Sequence, residues 1–245
     1  MDLTTLTDEA FIAAVTGTIG WAAKAAVQRA NARRPLQVFV EQDTDIIYAN
    51  SLDWASFPYY FDCELNHLPE NPPARGVEWW HWATDNHGQP AISSEIAVTL
   101  TSRVEATIVV DSLRVRTLDV SPAPPGCIVV HPVGGADIVH RQASVVLSSM
   151  PATVTFIEEG SGDTTSGFSF PVSAGEPARI SVTARAAERG FTYTWIGLLD
   201  LIVNGKRRTI KVTDNGRPFR LHGGGNCTEY EWLDNGWQRS DYYGL

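Results

Sequence analysis

Cysteine is scarce in this chain of 245 residues, which contains three cysteines, Cys63, Cys127 and Cys227. An odd number at wide, irregular spacing does not indicate a disulfide framework, and there is no CxxC pair of the kind that binds zinc. We therefore expect buried free thiols that pack as small hydrophobic side chains. Because the first residues lack the basic segment of an export signal, the expected location is the reducing cytoplasm.

Basic residues are also in deficit, because 19 Lys and Arg stand against 28 Asp and Glu and give a net charge of −9. An acidic chain is repelled by phosphate backbones unless it carries a compensating basic patch. The two dense basic segments, at 29–34 and 206–208, are short and lie beside a predicted helix end and a predicted turn. We predict no nucleic-acid partner.

No apolar run is long enough to cross a membrane, since the uncharged stretch at 10–23 falls short of the roughly 20 residues that a span needs. Residues 1–35 instead predict an amphipathic helix that Pro35 ends. It can pack on the chain's own sheet, pair with copies of itself, or lie on a membrane surface, which the lack of a lysine-rich face disfavours. Its apolar stripe comprises Ile12, Val15, Ile19, Ala22 and Ala26.

Catalytic and cofactor motifs are missing from the sequence. It has no Gly-x-Ser-x-Gly elbow, HExxH pair, phosphate loop or dinucleotide fingerprint. We therefore expect no cofactor, no resident metal and no enzymatic activity. One loose group of metal-ligand residue types stands in a polar loop, for which a solvated surface is the ordinary interpretation: Asp62, Cys63, Glu64 and His67.

Three further carboxylates are candidates for either a structural or a catalytic role. Glu229 and Glu231 share one strand face, so a glycosidase pair can be drawn, although their separation is not encoded in the sequence. Asp200 lies between two leucines, and we expect its partner to be a hydroxyl or a cation on the paired strand, such as Thr209.

What the sequence does contain is a succession of strands without intervening helical periods. Residues 36–76 predict a hairpin, with strands at 36–40 and 46–48, followed by a long irregular loop at 52–76. Residues 77–221 predict an all-β, antiparallel β-sandwich of the immunoglobulin-like kind, with its first strand at 77–83. Residues 222–245 predict a short C-terminal hairpin that carries Trp232 and Trp237.

The clearest local signal is Asn204-Gly205, a pair that suits a two-residue hairpin turn with positive φ. It predicts that Val203 pairs with Lys206 and that the odd-numbered residues of 191–203 face the core. Likewise, the alternation at 179–185 predicts a half-buried strand with one wet face.

Several motifs in this region resemble a β-domain found in many uncharacterised actinobacterial proteins. They are the pattern of Phe191, Tyr193 and Trp195, the Asn204-Gly205 turn, and the Asp214-x-Gly216-x-Pro218-Phe219-Arg220 segment. The resemblance covers roughly residues 77–221. That group has no established activity, so the resemblance implies a fold and no chemistry.

The most conspicuous feature is a group of three tryptophans within four residues, Trp79, Trp80 and Trp82. If this segment is a strand, Trp80 and Trp82 lie on one face and Trp79 lies on the other, so the tryptophans of one face fill the core. The other set offers a stacking platform for a sugar or an apolar ligand, unless the 52–76 loop covers Trp79.

These observations favour a non-catalytic interaction module that binds a protein partner or self-associates through the helix stripe or the Trp-rich edges. A small-ligand or carbohydrate-binding protein that uses the Trp79–Trp82 cluster is the alternative. A hydrolase with a scattered active site is the second alternative.

Overall fold

A computed structural model of the chain describes residues 36–48, 57–73, 78–102, 107–130, 141–148, 151–157, 164–165 and 168–244. The predicted N-terminal helix and its stripe, Ile12, Val15, Ile19, Ala22 and Ala26, lie outside the described residues. Within the described residues, no helix is long and apolar enough to cross a membrane.

The described chain is built mostly of strands, with two short helices and one 3₁₀ turn (Leu65–His67). The helices are α1 (Thr44–Ile47) and α2 (Trp79–Asp85). The strands, in chain order, are β1 (Leu36–Glu41), β2 (Tyr59–Phe61), β3 (Gln89–Pro90), β4 (Ser93–Ser102), β5 (Ile108–Pro122), β6 (Gly126–Val130), β7 (Arg141–Leu147), β8 (Thr153–Ile157), β9 (Thr164–Thr165), β10 (Phe170–Val172), β11 (Ala178–Ala186), β12 (Phe191–Val203), β13 (Lys206–Val212), β14 (Phe219–His222), β15 (Cys227–Leu233) and β16 (Gly236–Arg239).

The strands form three sheets. The first sheet has the order β1-β4-β11-β7-β8-β9, and the second has the order β10-β5-β12-β13 with β14 also paired to β12. Alternate residues of both sheets contribute to one hydrophobic core, so the two sheets pack face to face. The third sheet, β16-β15-β6-β2-β3, has separate clusters of buried residues on its two faces.

The predicted pairing around Asn204-Gly205 is confirmed, because Val203 pairs with Lys206 and both turn residues have positive φ, of 48° and 75°. Tyr193, Trp195 and Leu201 face the core, as the alternation predicts. The strand at 179–185 is also confirmed, as part of β11.

Two pairings are parallel, which corrects the expectation of a purely antiparallel arrangement. β11 runs parallel to β7 in the first sheet, and β15 runs parallel to β6 in the third. Parallel neighbours need a long connection, and the described residues of both connections form other strands rather than a crossover helix. A sequence without helical periods therefore does not exclude parallel pairing.

The predicted hairpin at 36–48 is wrong. β1 pairs with β4, and residues 44–47 form the helical turn α1. A Glu41 carboxylate oxygen accepts hydrogen bonds from the backbone N–H groups of Gln42 and Asp43, each 2.9 Å long, and turns the chain out of the sheet. Three alternating residues at 46–48 are too few to separate a strand from a helical turn.

The predicted strand at 77–83 is also wrong, because this segment contains α2. Glu78 precedes the helix at a φ of 69°, and the buried Trp79 and Ala83 lie four residues apart on its inner face. The i, i+4 spacing of these two residues was the helical signal. The strong β propensity of tryptophan outweighed it in the sequence pattern.

The described part of the 52–76 segment is more ordered than an irregular loop. Tyr59, Tyr60 and Phe61 form β2, which is buried throughout and pairs with β6 and β3 within the third sheet. The strand is three residues long, which is too short for a period-2 pattern to emerge from its three aromatic residues.

Candidate binding surface

Four of the five predicted tryptophans form one continuous series of ring contacts. Trp79 stacks on Trp82 with centroids 4.9 Å apart, and Trp82 lies 6.1 Å from Trp237. Trp237 in turn meets Trp232 edge to face at 5.0 Å. The helix α2 and the β15–β16 hairpin, which are far apart in the sequence, are thus joined by aromatic packing.

Trp79 is the inner end of this series. Its side chain is 1% exposed and packs with Tyr59, Phe61 and Leu68. Its indole N–H donates a 3.0 Å hydrogen bond to the carbonyl oxygen of Phe57. Residues of the 52–76 segment thus cover this ring, so Trp79 anchors the helix and presents no face to a ligand.

The outer end of the series is half-buried and comprises Trp82, Trp232 and Trp237, which we call the aromatic surface. The indole N–H of Trp237 donates a 3.0 Å hydrogen bond to the carbonyl oxygen of Pro69, which fixes its ring. Leu233, at the tip of the hairpin, is 44% exposed. Trp80 is half-buried and meets His81 edge to face at 5.1 Å.

Three exposed carboxylates adjoin the aromatic surface. Glu70 follows Pro69, and Asp234 follows Leu233 in the hairpin turn. Asp85 lies three residues after Trp82 on α2, so the two side chains are neighbours on the helix surface. Arg239 is a cation on the same side of the hairpin, two residues from Trp237. The rim of the aromatic surface is therefore negative in net charge.

A polar cluster lies beside α1, on the outer face of the first sheet. Glu95 is 4% exposed, and one of its carboxylate oxygens accepts a 2.6 Å hydrogen bond from the Thr183 hydroxyl. Its other oxygen has no hydrogen-bond partner among the described residues. Burial raises the pKa of Glu95 to about 7, against the smaller effects of the Thr183 hydrogen bond, Arg179 and Arg185.

The groups around Glu95 bind α1 to the sheet. Arg179 donates a 3.1 Å hydrogen bond to the carbonyl oxygen of Ile47, and burial, followed by the charge of Glu95, raises the pKa of Tyr48. His81 of α2 reaches Asp43, just before α1, at 3.0 Å. Sequence reasoning missed this cluster, because Glu95 is an acidic residue within an otherwise ordinary strand pattern.

The cysteines lie close to β6, on two faces of the third sheet. The Cys127 thiol donates a 3.2 Å hydrogen bond to the carbonyl oxygen of Cys63, and Cys227 packs on the opposite face with Tyr60. Cys127 and Cys227 are buried free thiols. Burial raises the pKa of Cys127 to about 12 and that of Cys227 to about 11.

The polar candidates from the sequence do not converge. Glu229 is 2% exposed and accepts hydrogen bonds from the Ser240 hydroxyl, at 3.0 Å, and from the Tyr243 N–H. It thereby fixes the C-terminal segment. Among the described residues, no group of three or more His, Cys, Asp and Glu side chains is arranged to hold a metal ion, and this includes Asp62, Cys63, Glu64 and His67.

Asp200 has the structural role expected from the sequence. Thr209 donates a 2.6 Å hydrogen bond to it, and Arg114 binds both carboxylate oxygens at 2.6 and 2.9 Å. These contacts hold the pKa of Asp200 well below its usual range, and the hydrogen bond from Arg114 has the largest effect. Arg114 was not named in the prediction, because it comes from β5, 86 residues away in the sequence.

Comparison with protein-family models, with curated proteins and with solved structures found no match for this chain. An open groove of about 480 Å³ runs along Val115–Val120 of β5 and is completed by Pro151 and Ala152. None of the five predicted tryptophans lines it.

Proposed function

We propose that this protein is a non-catalytic interaction module and that its contact surface is the aromatic surface at the edge of the third sheet. The observation that carries the proposal is the ring series from Trp79 to Trp232, whose inner end is buried and whose outer end is half-exposed. The proposal includes an immunoglobulin-like sandwich as the body that displays this surface, which the shared core of the first two sheets supports.

Tryptophan dominates the energetics of protein interfaces because it brings a large contact area and loses little conformational freedom. Here part of that freedom is already lost before binding. Trp237 is fixed by Pro69, and Trp82 is fixed between Trp79 and Trp237. A partner therefore gains the contact area at a reduced entropic cost.

The position of the hairpin supports contact with another protein. β16 is the edge strand of the third sheet, and the exposed Leu233 extends the apolar area at its tip. Strand edges and exposed apolar side chains are common sites of protein association. The β15–β16 hairpin offers both within a few residues of Trp232 and Trp237.

A carbohydrate ligand is the second candidate, because sugars also stack on half-exposed indole rings. Two observations weigh against a small ligand. Trp79 is buried, and the groove along β5 lies apart from the tryptophans, whereas small-ligand sites are typically concave. The hydrolase alternative has less support, because the Glu229 carboxylate already accepts hydrogen bonds from Ser240 and Tyr243 of the C-terminal segment.

Sedimentation velocity of the full chain at 5–100 µM tests the proposal. We compare the wild type with Trp237→Ala, and with Phe39→Ala as a control, since Phe39 is 52% exposed on β1 of the first sheet. The proposal requires concentration-dependent association that Trp237→Ala weakens at least about tenfold and Phe39→Ala leaves unchanged.

Titration with a glycan panel, followed by tryptophan fluorescence, completes the experiment. A saturable fluorescence change that Trp237→Ala removes, in a protein that stays monomeric, would replace the proposal with carbohydrate binding. Equal association of the wild type and Trp237→Ala would overturn the assignment of the aromatic surface.

A further inference from the structure

The outer face of the second sheet is basic, although the chain as a whole is acidic. The residues that alternate with its core-facing positions include five cations and three carboxylates, Asp111, Asp119 and Asp200. The cations are Arg114, Arg116, Arg207, Lys211 and Arg220, all of them exposed. This face therefore has the sign opposite to the net charge of −9.

One of the three carboxylates is already neutralised. Asp200 receives both hydrogen bonds from Arg114 and one from each of the Ser112 and Thr209 hydroxyls. Its four contacts occupy the acceptor sites of the carboxylate. The four remaining cations outnumber Asp111 and Asp119 on this surface, so the face keeps a positive net charge and attracts an anionic partner.

The central strand of the same face, β12, carries apolar side chains on both sides of the neutralised Asp200. Leu198 and Ile202 are half-buried and point away from the core, and Leu198 is flanked in register by Arg114 on β5 and Lys211 on β13. Ile196 lies in the same row but is only 7% exposed. Adjacent strands lie about 4.8 Å apart and rise about 3.4 Å per residue, so the stripe from Leu198 to Ile202 is about 14 Å long and lies between two rows of cations about 10 Å apart. We call this area the basic-flanked stripe.

The aromatic surface has the complementary composition. The ring centroids of Trp232 and Trp237 are 5.0 Å apart, and those of Trp237 and Trp82 are 6.1 Å apart. The three rings therefore fit along the stripe. Its rim, with Glu70, Asp85 and Asp234, is negative. Placing one on the other brings apolar area onto apolar area and carboxylates next to cations.

The alternative pairings are electrostatically unfavourable. A two-fold contact between two aromatic surfaces brings two acidic rims together, and a two-fold contact between two basic-flanked stripes brings cations together. Like charges placed opposite each other at an interface disfavour the contact. The charges therefore favour a contact between different surfaces of two copies.

From this complementarity we infer that the occupant of the aromatic surface is a second copy of this chain, which presents its basic-flanked stripe in a head-to-tail contact. The inference rests on the proposed function and names its partner. A head-to-tail contact leaves one free surface of each kind at the ends, so association continues into rings or filaments rather than ending at a dimer. Because charges contribute, association weakens as the salt concentration rises.

A mixing experiment tests this arrangement. Trp237→Ala removes the aromatic surface, and Arg207→Glu/Lys211→Glu reverses the charge of the stripe on the exposed edge strand β13. Each variant alone should be monomeric by sedimentation velocity at concentrations where the wild type associates. A 1:1 mixture should form dimers and no larger species, because each variant retains the surface that the other lacks.

A charge exchange within one chain provides the second test, which does not depend on the stability of Trp237→Ala. Glu70→Lys/Asp234→Lys should weaken association about tenfold or more, and adding it to Arg207→Glu/Lys211→Glu in the same chain should restore association at low salt. Phe39→Ala is again the control. Circular dichroism of every variant shows that the fold is retained.

The outcomes separate this inference from the proposed function. If Trp237→Ala abolishes association while Arg207→Glu/Lys211→Glu associates like the wild type, the aromatic surface stands and the head-to-tail partner is wrong. A mixture that stays monomeric also overturns the head-to-tail contact. If Trp237→Ala and the wild type associate equally, the proposed function and this inference both fail. A wild type that is monomeric at 100 µM also overturns both, because the proposed function requires concentration-dependent association.

Discussion

The His222 imidazole stacks on the Tyr60 ring, with centroids 3.9 Å apart and ring planes 4° from parallel. His222 Nδ1 accepts a 3.2 Å hydrogen bond from the Gly224 N–H, and its Nε2 lies 3.3 Å from the Pro124 carbonyl oxygen. The proton of the neutral ring therefore resides on Nε2. The Tyr60 hydroxyl lies 3.1 Å from the Pro125 carbonyl oxygen, so the stacked pair joins β14 and the third sheet to the 123–125 connection.

Acidification should destabilise the protein through His222. Burial lowers the pKa of this imidazole, so the unfolded chain binds a proton more readily than the folded one. The stability that the neutral ring provides is present above the ordinary pKa of about 6.5 and is lost as the pH falls below it. His222→Phe keeps the stacking and cannot titrate. Urea unfolding at pH 7.5 and 5.0 should show a smaller loss on acidification for this variant; an equal loss would contradict the prediction.

Glu95 should act in the opposite direction. Burial raises the pKa of Glu95 from 4.5 to about 7, so the unfolded chain releases this proton more readily than the folded chain does. The free energy of unfolding is therefore highest, as far as Glu95 is concerned, below pH 4.5, and it falls as the pH rises to about 7. Glu95→Gln removes the charge, and at 1.4 kcal/mol per pKa unit it should stabilise the protein by up to about 3 kcal/mol at pH 8. The gain should vanish near pH 4.5. Urea unfolding measures it, with the exposed Glu70→Gln as the control; a gain independent of pH would contradict this origin.

Two tryptophans in the same ring series should differ in their contribution to stability. Trp79 is 1% exposed and hydrogen-bonded, so Trp79→Ala should lower the free energy of unfolding by about 3–5 kcal/mol. Trp232 is half-buried at the outer end, so Trp232→Ala should lower it by about 1 kcal/mol. Urea denaturation of both variants provides the comparison. Equal losses would show that Trp79 is less enclosed than its contacts indicate.

The thiols should be unreactive in the folded protein. With pKa values of about 12 and about 11, Cys127 and Cys227 hold little thiolate at pH 8. An aromatic disulfide reagent should modify these two at least about 100-fold more slowly than in guanidinium chloride, where all three cysteines react. Cys63→Ser identifies the signal of the half-buried third thiol. Fast modification of two thiols in that variant would contradict the prediction.

The parts of the fold that sequence reasoning predicted are those set by local rules. The Asn204-Gly205 turn fixed the register of β12 and β13, and that register placed Thr209 opposite Asp200. Both follow from nearest neighbours along a hairpin. The C-terminal hairpin is also local, and it pairs Trp232 with Trp237 across a two-residue turn at Asp234 and Asn235.

The parts that were missed depend on distant partners. Trp79 belongs to a helix because its ring is enclosed by β2 and Leu68, and no local pattern encodes that enclosure. Glu41 turns the chain away from the sheet through two backbone contacts that an alternating pattern does not display. Glu95 is buried by its position beneath α1, so its shifted pKa has no signature in composition or spacing.

The third sheet gathers β2, β3, β6 and the β15–β16 hairpin from four separate stretches of the chain. Its parallel β6–β15 ladder forms only after everything between Val130 and Cys227 has been synthesised. Until then Trp82 lacks its neighbour Trp237, and the aromatic surface is incomplete. Under the proposed function, the contact surface is therefore complete only after the C-terminal hairpin has been synthesised and has paired with β6.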